Sequence, residues 1–155
     1  MKIVKGDIID LSTKGEFDVL VYECNCFHTP KTILSKKIRE TFPQAKFIDK
    51  YTTKGGKNKL GTYSYATIDL REFDYKLRKK LTIVNSYLYF SREDPLFDYK
   101  NLESILCKLK KDFEGKKIAF PPLGLGVKDI SITKICDLID KNLEGFDYCM
   151  VIDAE

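Results

Sequence analysis

Apolar positions along the chain follow two rhythms, and their order predicts an alternation of strands and helices. Residues 1–10 read as an opening strand and residues 11–16, with Gly15, as a turn. Within residues 18–26 the run Val19-Leu20-Val21-Tyr22 is continuous rather than alternating, the mark of a strand buried on both faces. Thr29-Pro30 reads as a helix start, since threonine can cap free N–H groups and proline suits the first helical position. Leu34, Ile38 and Phe42 then recur at a spacing of four and form one stripe that ends before Pro43.

The segment KGGKN, residues 54–58, reads as a flexible surface loop. GTYSYATI (61–68) and LTIVNSY (81–87) carry the β-branched and aromatic residues of strands. Asp98 can cap a helix whose apolar face is Leu102, Ile105, Leu106, Leu109 and Phe113, with Gly115 as its stop. Residues 117–120 read as a strand, 131–143 as a helix and 148–152 as a last strand. Strands joined through helices of about ten or more residues need crossover connections, so an α/β fold with a mixed, largely parallel sheet is expected. In such sheets ligands sit beyond the carboxyl ends of the strands.

Composition narrows the class. A chain of 155 residues suits a single domain, residues 1–155, that buries a core without staples. Hydrophobic content of 43% with 32% charged residues fits a soluble globular protein and excludes a disordered chain. The formal charge of +4 rests on scattered lysines with short runs such as Arg78-Lys79-Lys80, not on the basic stripe of a nucleic-acid binder. Five cysteines, an odd number, with no secretory segment read as reduced thiols of a cytoplasmic protein. Cys107, Cys136 and Cys149 fall in helix or strand patterns, where a thiol serves as a small hydrophobe. No segment approaches the roughly 20 apolar residues of a membrane helix.

The candidate chemistry lies where strands end. In AFPPLGLGV, residues 119–127, Gly124 and Gly126 follow a buried strand, and without a Cβ both can take φ > 0. Consecutive N–H groups there can form an anion nest, or the segment is simply a tight turn; the glycines alone do not choose. In ECNCFHTPK, Cys24, Cys26 and His28 alternate on one strand face. Residues two apart on a strand are about 6.6 Å apart, too wide for adjacent zinc ligands unless the chain bends, and no second cysteine pair completes a metal site. A Cys–His nucleophilic pair lacks an acid partner. Asn25 has an amide that can fix a polar ligand or a neighbouring loop, and His28 stands just before a helix N-terminus suited to an anion. Gly6-Asp7-Ile8 is an early carboxylate beside a flexible residue, or a strand-end bend. The aromatic run at residues 87–90 reads as core or loop packing before it reads as a stacking platform, although the end of its strand can face the ligand crevice.

Taken in order, VKGDIIDL, DVLVYECNC, LGTYSYATI, LTIVNSY, YKNLESIL and GKKIAFPPLGLGV resemble the macro domain, the ADP-ribose-binding module, over nearly the whole chain. The resemblance is to the compact single-domain branch of phages, bacteria and yeast, which includes ADP-ribose-1″-phosphate phosphatases, and also to the branch that removes ADP-ribose from acidic side chains. It implies a three-layer α/β/α sandwich and ADP-ribose or a related NAD-derived nucleotide as ligand, with no metal and no cofactor. By that likeness Asp7 accepts from the adenine amino group beside Ile8, Asn25 lies near the distal ribose, and Gly124, Leu125, Gly126 and Val127 hold the diphosphate. A residue near Ile152 or Asp153 is expected to close the adenine face.

Two departures bear on activity. The glycine-rich first loop of the resembled family reads here Pro30-Lys31-Thr32-Ile33-Leu34-Ser35, which sets Thr29 and Lys31 beside the ligand and brings branched carbons to the pocket. Where hydrolysing members often carry an aspartate after glycine-leucine, this chain has Lys128, with Asp129 one step later. A lysine opposes the positive charge that develops at the anomeric carbon during hydrolysis but favours an anionic ligand at rest. The expected function is therefore nucleotide binding with weak or no hydrolysis, by a monomer whose partners include ADP-ribosylated protein but not nucleic acid or membrane. The alternatives are a phosphatase or ADP-ribosyl hydrolase working through His28 or Asp129, and a protein or RNA interaction module whose pocket is filled by Ile33 and Leu34.

Overall fold

In chain order the elements are β1 (Ile3–Lys5), α1 (Ile8–Thr13), β2 (Val19–Asn25), α2 (Ile33–Thr41), α3 (Pro43–Lys50), β3 (Tyr63–Asp69), β4 (Lys80–Tyr89), α4 (Tyr99–Asp112), β5 (Ile118–Phe120), α5 (Ile132–Asn142) and β6 (Tyr148–Ile152). This is a computed structural model, and it describes residues 1–93, 96–125 and 127–154. The six strands form one sheet in the order β1-β6-β5-β2-β4-β3. All neighbours are parallel except β3, which pairs antiparallel with β4.

The continuous apolar strands feed two cores. Val19 and Val21 of β2, Val84 of β4 and Ile118 of β5 face a cluster closed by Leu102, Ile105 and Leu109 of α4 and by Ile135 and Ile139 of α5. Their neighbours Leu20, Tyr22, Ile83 and Ala119 face the opposite cluster, closed by Ile8 of α1, Ile38 of α2 and Ala45 of α3. Successive side chains of a strand point to opposite faces, so a strand apolar at every position must be covered on both sides. The result is the three-layer α/β/α sandwich. Among the described residues no helix is long and apolar enough to cross a membrane.

Local chemistry moved several boundaries. The opening strand is only Ile3–Lys5, because Asp7 accepts hydrogen bonds at Oδ1 from the N–H groups of Ile9 (2.9 Å) and Asp10 (3.1 Å) and so starts a helix. Helix α2 begins at Ile33 rather than at Pro30: Thr32 and Ser35 form a reciprocal capping box, which satisfies two free donors where Thr29 would satisfy one. Pro43 does not merely end α2; it opens α3 in the first-turn position. The KGGKN loop is tied down, with Gly55 N–H donating to the Cys26 carbonyl at 2.7 Å and a short 3-10 turn at Lys57–Lys59. Cys107 is exposed on α4 rather than serving as a core hydrophobe.

Candidate functional site

A cavity of about 410 Å³ opens at the carboxyl ends of the parallel strands, within the usual range for small-molecule sites. Asp7, Ile8, Ile9, Val151 and Asp153 line it near β1 and β6, Pro121 and Pro122 after β5, and Glu23, Asn25 and Tyr89 at the ends of β2 and β4. The start of α2 adds residues 31–35 and Lys37. From β6 to β4 is three strand spacings, roughly 14 Å, so the cavity suits an elongated ligand. Ile33 does not plug it: its side chain is 75% exposed, and with Leu125 at 62% it forms an apolar rim.

The most informative group is one the sequence reading passed over. Glu23 continues the Val19, Val21 side of β2, and its carboxylate reaches the cavity with both oxygens engaged. Gly124 N–H donates to Oε1 at 3.1 Å, and the Tyr89 hydroxyl donates to Oε2. Burial pushes the Glu23 carboxyl above its usual pKa range, against the opposing pull of Tyr89, Gly124 and Lys31. Burial and the neighbouring carboxylate likewise push the Tyr89 phenol up. Lys31 places its ammonium 4.8 Å from the centroid of the same ring. A glutamate closing an otherwise apolar parallel strand was the available signal, since such residues are seldom buried without partners.

The loop expected to hold the phosphate has one amide already engaged. Gly124 does take φ = 75°, but its N–H serves Glu23, and Val127 N–H closes a turn onto the Gly124 carbonyl at 3.2 Å. A Cβ on Gly124 would lie 2.8 Å from Ile135 Cδ1, so packing as well as backbone conformation demands glycine there. Leu125 lines the cavity; Gly124, Val127, Lys128 and Asp129 are not among its lining residues, and Gly126 lies outside the described residues.

Asn25 turns its amide on its own loop: Nδ2 donates to the Thr29 carbonyl (2.6 Å) and Thr29 Oγ1 (3.0 Å), and Oδ1 accepts from Phe27 N–H (2.9 Å). Asn25 and Thr29 are thus a loop clamp, and only Asn25 of the two borders the main cavity. His28 is not among the residues lining that cavity, with Nε2 3.2 Å from Thr52 Oγ1, and Asp129 is exposed; both hold left-handed backbone, φ 64° and 61°. Neither expected catalytic group therefore reaches the pocket. Burial, then the Asp49 charge, push the Cys24 thiol up to about 12, which disfavours the thiolate that a nucleophile needs. Among the described residues no group of three His, Cys, Asp or Glu is placed to hold a metal.

Beside the cavity lies a buried polar network. Arg39 pairs with Asp49, Asp49 accepts from the Tyr87 hydroxyl at 2.7 Å, and Asn85 accepts from Tyr22 while donating to the Ala45 carbonyl at 3.0 Å. It locks α2 and α3 to the sheet under the loop that bears His28.

The fold is that of a macrodomain. It matches the macrodomain of Thermus aquaticus DarG at a TM-score of 0.67 and 16% identity, over 97% of both chains. It matches Thermosipho africanus DarTG, solved in complex with ADP-ribose, at 0.72 and 15% identity, over 96% of this chain and 40% of that one. No family model matches the sequence. Over 132 residues, 82% of this chain and 79% of the other, it is 30% identical to the uncharacterized 17.5 kDa protein of the tk-vs intergenic region of Enterobacteria phage T4. The chain belongs to the family of that phage protein.

Proposed function

We propose that this protein binds ADP-ribose or a related NAD-derived nucleotide in the cavity at the strand ends and holds it without efficient hydrolysis. The observation that carries the reading is the long cavity on a macrodomain fold, with Asp7 and Ile8 at one end of it. Asp7 caps α1 through Oδ1, which leaves its second oxygen to accept from an adenine amino group between Ile8 and Asp153. The ligand then runs toward Lys31, whose ammonium offers a counter-charge to phosphate. The absence of His28 and Asp129 from the cavity lining supports retention without turnover. An ADP-ribose unit carried on a protein, met by a monomer in the cytoplasm, is the corresponding partner.

Calorimetry with ADP-ribose, AMP and adenosine tests this. Saturable binding of ADP-ribose, with adenosine weaker, is expected; a folded protein that shows no heat at millimolar ligand overturns it. Incubation with ADP-ribose-1″-phosphate is expected to release no phosphate above a protein-free control.

A further inference from the structure

We propose that Glu23 sets which ligand this pocket accepts: its carboxylate already occupies the Gly124 amide, so an anionic nucleotide enters fully only when that carboxylate is neutralised or displaced. The inference rests on the nucleotide reading above and deepens it.

A backbone N–H carries one hydrogen. With Gly124 N–H committed to Glu23 Oε1 at 3.1 Å, it cannot also hold a phosphate oxygen in good geometry. The Tyr89 hydroxyl fixes the other carboxylate oxygen, so Glu23 is held in place rather than swinging freely. An ionised carboxylate here acts as an internal substitute for the ligand's phosphate, and a second anion brought beside it is repelled in a half-buried setting where screening is weak. The groups facing Glu23 are Tyr89 from β4, Gly124 N–H from the loop after β5, and the Lys31 ammonium from the segment before α2. Cys24 adjoins it on β2 as a neutral thiol. Asp7, Lys37 and Asp153 line the same cavity from other elements. Burial, which raises the Glu23 carboxyl toward neutrality, is the route by which the repulsion is relieved.

The pyrophosphate of ADP-ribose is a strong acid that keeps a constant charge from mildly acidic to mildly alkaline pH, so any change in its affinity across that range belongs to the protein. Dissociation constants for ADP-ribose and for uncharged adenosine are measured at both ends of the range, for the native protein and Glu23→Gln. The native protein is expected to lose ADP-ribose affinity as pH rises. Glu23→Gln removes the charge while its amide oxygen can still accept from Gly124 N–H, so by relief of repulsion it is expected to bind about tenfold more tightly at the alkaline end and to show a flat profile, while adenosine responds to neither change. Equal or weaker ADP-ribose binding by Glu23→Gln, or an equal gain for adenosine, overturns the role of Glu23 and leaves the nucleotide reading intact. Absence of binding by both proteins to both ligands overturns the two together. Tyr89→Phe gives an independent check should Glu23→Gln fail to fold. Losing the hydroxyl that holds the carboxylate ionised is expected to move the loss of affinity to higher pH, and an unmoved profile counts against the proposal.

Discussion

Arg39 Nη1 lies 2.7 Å from Asp49 Oδ2, and the two side chains are only 6% and 1% exposed. This pair joins α2 to the end of α3, and Tyr87 adds a third member from the sheet. A buried charge without its partner is costly. Asp49→Ala is therefore expected to lower unfolding free energy by about 3–5 kcal/mol in urea titration, and the apolar pair Arg39→Met with Asp49→Leu to recover most of that loss.

Asp7 has two separable tasks. As a cap it can be replaced by asparagine, which satisfies the same N–H groups, so Asp7→Asn should keep the native melting temperature whereas Asp7→Ala should lose about 1 kcal/mol. Asparagine also turns part of the acceptor into a donor. Asp7→Asn is thus expected to weaken ADP-ribose binding by about tenfold while stability stays unchanged, as read by calorimetry beside thermal melting.

Gly124 is held by space and by backbone. A methyl there meets Ile135 at 2.8 Å and Ile130 at 3.2 Å, at a φ of 75°. Gly124→Ala is expected to cost about 1–3 kcal/mol in denaturant unfolding, through overpacking and left-handed strain, and to weaken ligand binding as the loop shifts.

His28 is expected to contribute to the pH dependence of stability. Burial first, with help from the Lys59 and Arg39 charges, lowers its pKa despite the opposing pull of Asp49. The unfolded chain takes up this proton at about pH 6.5 and the folded chain only at lower pH, so the unfolded state binds more protons in between. The contribution is present above that range and lost as pH falls through it. The difference in melting temperature between native protein and His28→Gln is expected to move in favour of the variant as pH drops below about 6.5.

Much of the architecture is written locally. The unbroken run at residues 19–22 requires cover on both faces, the stripe from Leu102 to Phe113 defines α4, and the last strand, Tyr148–Ile152, follows from its composition alone. The order of motifs identifies the macrodomain fold, because each motif depends on neighbours close in sequence. The boundaries that moved are those where one cap competes with another. Asp7 and Thr32 won because their side chains meet N–H groups two or three residues ahead, a matter of backbone geometry rather than residue type.

The site divides differently. Asp7, Asn25 and Leu125, which border the cavity, fall in short segments that mark strand ends and so are legible in the sequence. What fills the cavity is decided by contacts across the fold: Glu23 meets Gly124 across 101 positions and Arg39 meets Asp49 across ten. Sequence determined that a ligand-sized opening lies beyond the strands. Only tertiary structure decided that a carboxylate stands at the loop amide and that His28 and Asp129 stand outside the cavity, because hydrogen-bond partners are selected by distance in space and not by distance along the chain.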